Sequence, residues 1–89
     1  MIVKKTLVTQ WQEKLGRDYF VGDDYDNVAI YRLIPKRFII WCWYGYDYIY
    51  SIKKLELNGE ADFTQTITTK DREFAEHCDK LGLNVILEV

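Results

Sequence analysis

The spacing of apolar residues changes period twice along this chain. Val8, Trp11 and Leu15 recur at three- and four-residue intervals, the spacing of one helix face, with Lys14 late and Gly16 placed to end a helix in the left-handed region. This predicts a helix over most of residues 5–15. A second reading starts a shorter helix at a Thr9–Gln12 capping box and leaves Ile2 to Val8 extended. The spacing then shortens. Residues 19–21 read as a brief strand or a core plug, and Gly22 with Asp23, Asp24 and Asp26 as a loop. Residues 28–34 read as a strand that Pro35 ends, since proline has no N–H for a ladder.

Ile34-Pro35-Lys36-Arg37 fits a type I turn. A strand over residues 38–44 follows, then a type II′ turn at Gly45, then a strand over 47–57. Asn58-Gly59 accepts positive φ twice and predicts a further hairpin. Residues 61–68 alternate, with Ala61, Phe63 and Ile67 set against Asp62, Thr64 and Thr66. Helical spacing then returns at Phe74, Cys78 and Leu81, with Ala75 beside them, between a box-like start at Thr68 and Asp71 and a stop at Gly82. Residues 83–89 close the chain as a strand. The pattern predicts an α+β fold: a four-stranded antiparallel meander sheet with helices packed on one face and a C-terminal strand, in one compact domain over residues 1–89.

These turns fix a register. Leu33 pairs with Phe38, Tyr31 with Ile40, Cys42 with Ile49 and Trp41 with Tyr50. Directly paired residues share a face. One face then carries Val28, Ile30, Ile39, Trp41, Trp43, Tyr48, Tyr50, Ile52, Phe63 and Ile67, and is assigned to the core under Trp11, Phe74, Cys78 and Leu81. The other carries Ala29, Tyr31, Leu33, Phe38, Ile40, Cys42, Ile49 and Leu55. Two short helices cannot cover both faces. Tyr31, Leu33, Phe38, Ile40 and Ile49 are therefore expected to form an uncovered apolar patch, with Tyr44 and Tyr46 exposed at the Gly45 turn, and such patches mark interaction sites.

Composition sharpens this picture at one point. The chain has three Trp, seven Tyr and four Phe, and half of the fourteen residues 37–50 are aromatic. Large rings let a small chain stabilise itself without disulfides. A formal charge of −2 gives no broad basic field, which argues against general binding to nucleic acid or lipid headgroups. The amino terminus lacks a signal-peptide h-region and no apolar run is long enough to span a bilayer. A cytoplasmic protein with no membrane association is the expectation. Two cysteines do not make a disulfide framework, and the register keeps Cys42 away from Cys78.

No catalytic or metal motif survives inspection. The acidic loop residues Asp18, Asp23, Asp24 and Asp26 lack the EF-hand spacing, since Val28 and Ile34 stand where Gly and Glu are required. They could instead present negative charge to a basic partner. His77 and Cys78 are helix neighbours pointing about 100° apart, so they do not converge on a metal. Ser51, the single serine, falls on the sheet face opposite the helix that carries His77, which leaves no Ser–His pair. Neither enzymatic activity, nor a cofactor, nor a metal is expected. The order of elements resembles double-stranded RNA-binding domains in outline, yet their basic helix start has no counterpart in TTKDREFAEHCDK.

The function expected on these grounds is a small non-enzymatic protein-binding module. It would act through its apolar, aromatic sheet face, as a homodimer or as an accessory subunit or inhibitor of a larger protein, a role that suits small proteins of phages and mobile elements. The alternative is a single-stranded nucleic-acid binder that stacks bases on sheet aromatics beside Arg32, Lys36, Arg37, Lys53 and Lys54.

Overall fold

The computed structural model describes residues 5–89, and there the chain begins with a capped helix. In α1 (Leu7–Leu15) the Thr9 amide donates to the Thr6 side-chain oxygen at 3.1 Å, so Thr6 is the cap and the Thr9–Gln12 box is not used. Gly16 ends the helix at φ +87°, a conformation its missing Cβ permits. Ile2 and Val3, part of the extended alternative, lie outside the described residues.

Three strands follow: β1 (Tyr19–Asp24), β2 (Asn27–Phe38) and β3 (Trp41–Lys53), antiparallel and in that spatial order. Asp23 and Asp24 belong to β1, and the reversal falls at Tyr25-Asp26, with Tyr25 at φ +52°. The turns expected at Pro35 and Gly45 do not form. Both residues lie inside long strands, Ile34 opposite Gly45 and Pro35 opposite Tyr44, and the chain reverses at Ile39-Ile40 with Phe38 opposite Trp41. The competing influence is the body of the protein. The observed register sets Val28 opposite Ile52 and Ile30 opposite Tyr50, against Val21 of β1. A turn at Pro35 would have set Val28 opposite Trp43 and lost that cluster.

The four-stranded meander is not formed, and the main sheet has three strands. β4 (Glu56–Leu57) and β5 (Glu60–Ala61) make a separate small hairpin around Asn58-Gly59, whose φ values of +55° and +83° match the sequence signal. After Ala61 the expected strand over residues 61–68 breaks. The Asp62 carboxylate accepts the Thr64 amide at 3.0 Å, a local turn that competes with a ladder. Only β6 (Ile67–Thr69) becomes extended again, and it pairs in parallel with β7 (Val85–Leu87) across α2 (Arg72–Lys80). Asp71, not Thr68, caps α2, accepting the Phe74 amide at 2.9 Å.

The core lies between the base of the sheet and the two helices. Trp11, Val28, Ile30, Ile52, Ile67, Phe74 and Cys78 are fully or almost fully buried in it. Trp11 meets Phe63 edge-on at 4.7 Å and Tyr19 meets Phe74 at 5.4 Å. Four residues assigned to this core, Ile39, Trp41, Trp43 and Tyr48, are exposed instead. The reason is length. Helices of nine residues reach about 14 Å, whereas strands of 12 and 13 residues reach about 40 Å. The radius of gyration, 14.3 Å, accordingly exceeds the roughly 12 Å of a compact chain this size. Both cysteines are free, Cys42 exposed and Cys78 buried, as the sequence predicts. Among the described residues no helix is long and apolar enough to cross a membrane.

Candidate functional site

The β1–β2 ladder ends at the pair Tyr19–Arg32. Beyond it, β2 and β3 pair only with each other, so residues 33–46 form a two-stranded ribbon that runs about 20 Å past the sheet. This arm is the candidate site.

A two-stranded ribbon is marginal by itself, so the arm needs an anchor. Rings at its base supply one. Phe20 of β1 packs 5.2 Å from Tyr46 and 6.1 Å from Tyr31, and Tyr31 lies 5.9 Å from Tyr48. Gly22 lies beside them, where a Cβ would make ordinary van der Waals contact with the Phe20 ring at 3.5 Å and the Tyr31 ring at 3.6 Å. On the other face Arg32 donates to Asp71 at 2.7 Å and lies 3.6 Å from Glu73, tying the last strand pair to the start of α2. Burial alone would raise the Asp71 carboxyl, but the Arg32 guanidinium and the Phe74 amide hold it below the ordinary carboxylate range. Arg32 is in turn held more firmly protonated by its bond to Asp71.

Pro35 is tolerated inside the arm for a reason found by counting. In a hairpin closed by two residues the flanking pair exchanges both hydrogen bonds, and alternate pairs exchange none. Phe38–Trp41 is the flanking pair, so Pro35–Tyr44 falls on a pair that makes no use of the Pro35 nitrogen. Opposite strands thus carry both strong breakers, Pro35 and Gly45, on adjoining pairs. A Cβ at Gly45 would lie 2.9 Å from Cε of Lys36, whose stem crosses that point.

Toward its end the arm becomes apolar on every side. Phe38, Trp41, Trp43, Tyr44 and Tyr46 are exposed, and Ile39 and Ile40 at the apex are 74% and 85% exposed. Ile39 adopts φ +56°, a left-handed conformation that β-branched residues rarely take. Lys36 and Arg37 are the charged residues of the stretch 33–46, which has no carboxylate.

The predicted patch is only partly assembled. Tyr31 and Leu33 are half-buried near Tyr46 at the arm's base, while Phe38 and Ile40 sit at the far end. Ile49 turns inward and packs on the core, beside the irregularity that shifts the register between Ile30 and Tyr31. Tyr44 and Tyr46 are exposed as expected, on mid-strand positions and not at a turn. Sequence reasoning missed Ile39, Trp41 and Trp43. The absence of any acidic residue from 33 to 46 was the signal that pointed there.

The remaining candidates do not converge on a site. The Asp23 carboxylate pairs with Lys54, and the Asp26 carbonyl accepts the Lys54 amide at 2.9 Å. Asp24 ends β1, and Asp18 lines a cavity of about 480 Å³ between the arm's base and α2. That cavity carries Arg17, Arg32 and Lys80 against Asp18, Glu73 and Glu76, charges that offset one another. Among the described residues no group of three or more His, Cys, Asp or Glu side chains is placed to hold a metal ion. His77 donates through Nε2 to the Leu15 carbonyl at 2.7 Å and lies 4.8 Å from the Tyr19 ring at a 44° tilt, so it fastens α2 to the end of α1. Ser51 bonds the Tyr48 hydroxyl at 2.8 Å. Burial pushes the Cys78 thiol up to about 12, which removes it as a nucleophile.

Comparison with protein-family models, with curated proteins and with solved structures gives no match.

Proposed function

We propose that this chain is a non-enzymatic protein-binding module whose contact element is the projecting arm. The apex carries the reading. Of its other two-residue turns, one uses Asn58-Gly59, the pair that takes positive φ without strain, and the one between Asp24 and Asn27 places Tyr25 at φ +52°. At the apex of the arm it uses Ile39-Ile40 instead. A β-branched residue at φ +56° costs about 1–2 kcal/mol, and two largely exposed aliphatic side chains give little back within the chain. Such an apex is advantageous only where a partner buries it.

The composition of the arm supports a protein partner. Trp, Tyr and Arg dominate binding energy at protein interfaces, and the arm offers Trp41, Trp43, Tyr44, Tyr46 and Arg37 within a few residues. The nucleic-acid alternative is weaker, because two of the five cations counted for it are engaged in ion pairs and the chain's formal charge is −2. Arg32 is bound to Asp71 and Lys54 to Asp23, which leaves Lys36 and Arg37 on the arm and Lys53 at the end of β3.

A photo-crosslinking residue in place of Trp43 tests the reading. The expected result is a protein adduct, with the chain itself or with a second protein, that excess unlabelled chain suppresses. If no protein adduct forms and single-stranded oligonucleotides show a salt-sensitive gel shift, the protein-binding reading is wrong and the nucleic-acid one replaces it.

A further inference from the structure

We propose that the arm's partner is a second copy of this chain, joined along the outer edge of β3 so that two three-stranded sheets become one of six strands. The proposal rests on the reading of the arm as a contact element and adds what fills the contact.

The two edges of the arm differ. By the same alternation that accommodates Pro35, the backbone groups facing outward belong to Leu33, Pro35 and Arg37 on β2, and to Cys42, Tyr44, Tyr46 and Tyr48 on β3. The β2 edge is blunted. Its middle position has no N–H, and Lys36 and Arg37 follow directly, the devices by which proteins prevent edge pairing. From Cys42 to Tyr48 the β3 edge has no proline, no cation and one carboxylate, Asp47. Further along, Gln65 Nε2 donates to the Lys53 carbonyl at 3.2 Å, so that end is already occupied. What remains is an open, nearly uncharged edge of about seven residues.

An antiparallel strand pair with a two-fold axis is self-complementary, so a second copy always presents the matching edge. One register uses the edge fully. With the axis at Gly45, Cys42 pairs with Tyr48 and Tyr44 with Tyr46 in both directions, so all four outward residues of each copy are paired. Shifting the axis by one residue strands one of the four on each copy. At the axis Gly45 faces itself, and Asp47 faces Trp43 and not another carboxylate. The same count brings the apex, Ile39-Ile40, beside Ser51 and Tyr50 of the second copy. A cavity of about 280 Å³ opens there between β3 and residues 65–67. Trp41, Trp43, Tyr44, Tyr46 and Tyr48 are each at least half exposed. At on the order of 100 Å² a ring, two copies offer about 1,000 Å², the lower bound of a specific interface.

Sedimentation equilibrium of the reduced full chain, from low micromolar to near millimolar, should give a dimer. Tyr46→Pro removes an outward N–H and leaves the hairpin's own bonds intact, and Tyr46→Ala removes the ring alone. Both variants lose the same base ring, so Tyr46→Pro should share the circular dichroism of Tyr46→Ala; Tyr46→Pro should be monomeric throughout, and Tyr46→Ala should weaken the dimer by about tenfold or less. A covalent test covers the case in which the proline variant unfolds. In a Cys42→Ser background, Gly45→Cys should oxidise to a disulfide-linked dimer, because facing residues in such a pair have Cα atoms about 4.5 Å apart. Trp43→Cys should not, since its copies lie roughly 13 Å apart in this register. A wild-type chain that stays monomeric overturns self-pairing but leaves the arm's protein-binding role to the crosslinking experiment. A dimer that survives Tyr46→Pro, or that crosslinks at 43 and not at 45, shows another interface and overturns it as well.

Discussion

Replacing Ile39-Ile40 by Gly-Asn, with glycine at the apex position of positive φ, should stabilise the isolated chain, an unusual expectation for removal of two large aliphatic residues. The magnitude follows from the structure. Relief of the left-handed conformation at Ile39, φ +56°, is worth about 1–2 kcal/mol. The burial lost is small, because Ile39 is 74% and Ile40 85% exposed. At about 1.5–3 kcal/mol for a fully buried side chain, the two together forfeit at most roughly 1 kcal/mol. The net change is a gain of up to about 1.5 kcal/mol, or several degrees in Tm if the arm unfolds together with the body. If the arm frays separately, the gain appears as slower amide exchange over residues 33–46 and not in Tm. The measurement belongs at dilutions where the chain is monomeric, because the same substitution should weaken association. A lower Tm together with faster exchange in the arm would mean that the isoleucines pack against their own chain. The inference from strain and exposure to a contact site would then be lost.

Three further outcomes are expected. Asp71→Asn keeps a capable helix cap but loses the ion pair with Arg32, which should cost about 1 kcal/mol at neutral pH. Since the folded-state pKa of Asp71 is depressed, its contribution is complete above the ordinary carboxylate range and disappears as pH falls through the folded value; denaturation at several pH values should show the difference between variant and wild type closing in acid. Thiol labelling of the reduced native protein should modify Cys42 and spare Cys78, which is buried and protonated, and denaturant should release the second thiol. Gly59→Val places a β-branched residue at φ +83° and should lower stability by roughly 1 kcal/mol or more by chemical denaturation; an unchanged midpoint would show that the small hairpin frays in solution.

Local pattern made part of this fold legible. The helical spacing of Trp11 with Leu15 and of Phe74 with Cys78 marked both helices and four of the most buried residues. Asn58-Gly59 marked its turn because that dipeptide's preference and its position agree. The long hairpin was illegible for the opposite reason. Pro35 and Gly45 are strong local turn signals, while Ile39-Ile40 is none, so local chemistry named the wrong reversals. Pairing across about twenty residues, Val28 with Ile52 and Ile30 with Tyr50, decides the register, and a window-by-window reading cannot weigh it. The parallel pairing of β6 with β7 is non-local in the same way. At the site, Tyr44 and Tyr46 were read as exposed for an incorrect reason, the supposed Gly45 turn. Trp41 and Trp43 are assigned to the core because the expected register sets them on the sheet face that the helices cover.

The breakers that misled the reading also explain how the arm is built. Pro35 and Gly45 lie on adjoining pairs midway along it; the ladder makes no use of the Pro35 nitrogen, but the missing side chain at Gly45 weakens the ribbon. Distal to them stand the residues the body cannot reach, Phe38 to Trp43. Proximal to them, Phe20, Tyr31, Tyr46 and Tyr48 hold the base by ring contacts, and Arg32 holds it by charge. The arm is therefore firm at its root and soft at its middle. A soft middle lets the apex adjust to whatever surface receives it, at the cost of a ribbon that is marginal until it is received. Binding should stiffen it: amide exchange across Ile34 to Tyr44 should slow on association by more than exchange in α2, which is already fixed by its own cap and core contacts. Equal slowing in both would place the contact on the body and not on the arm.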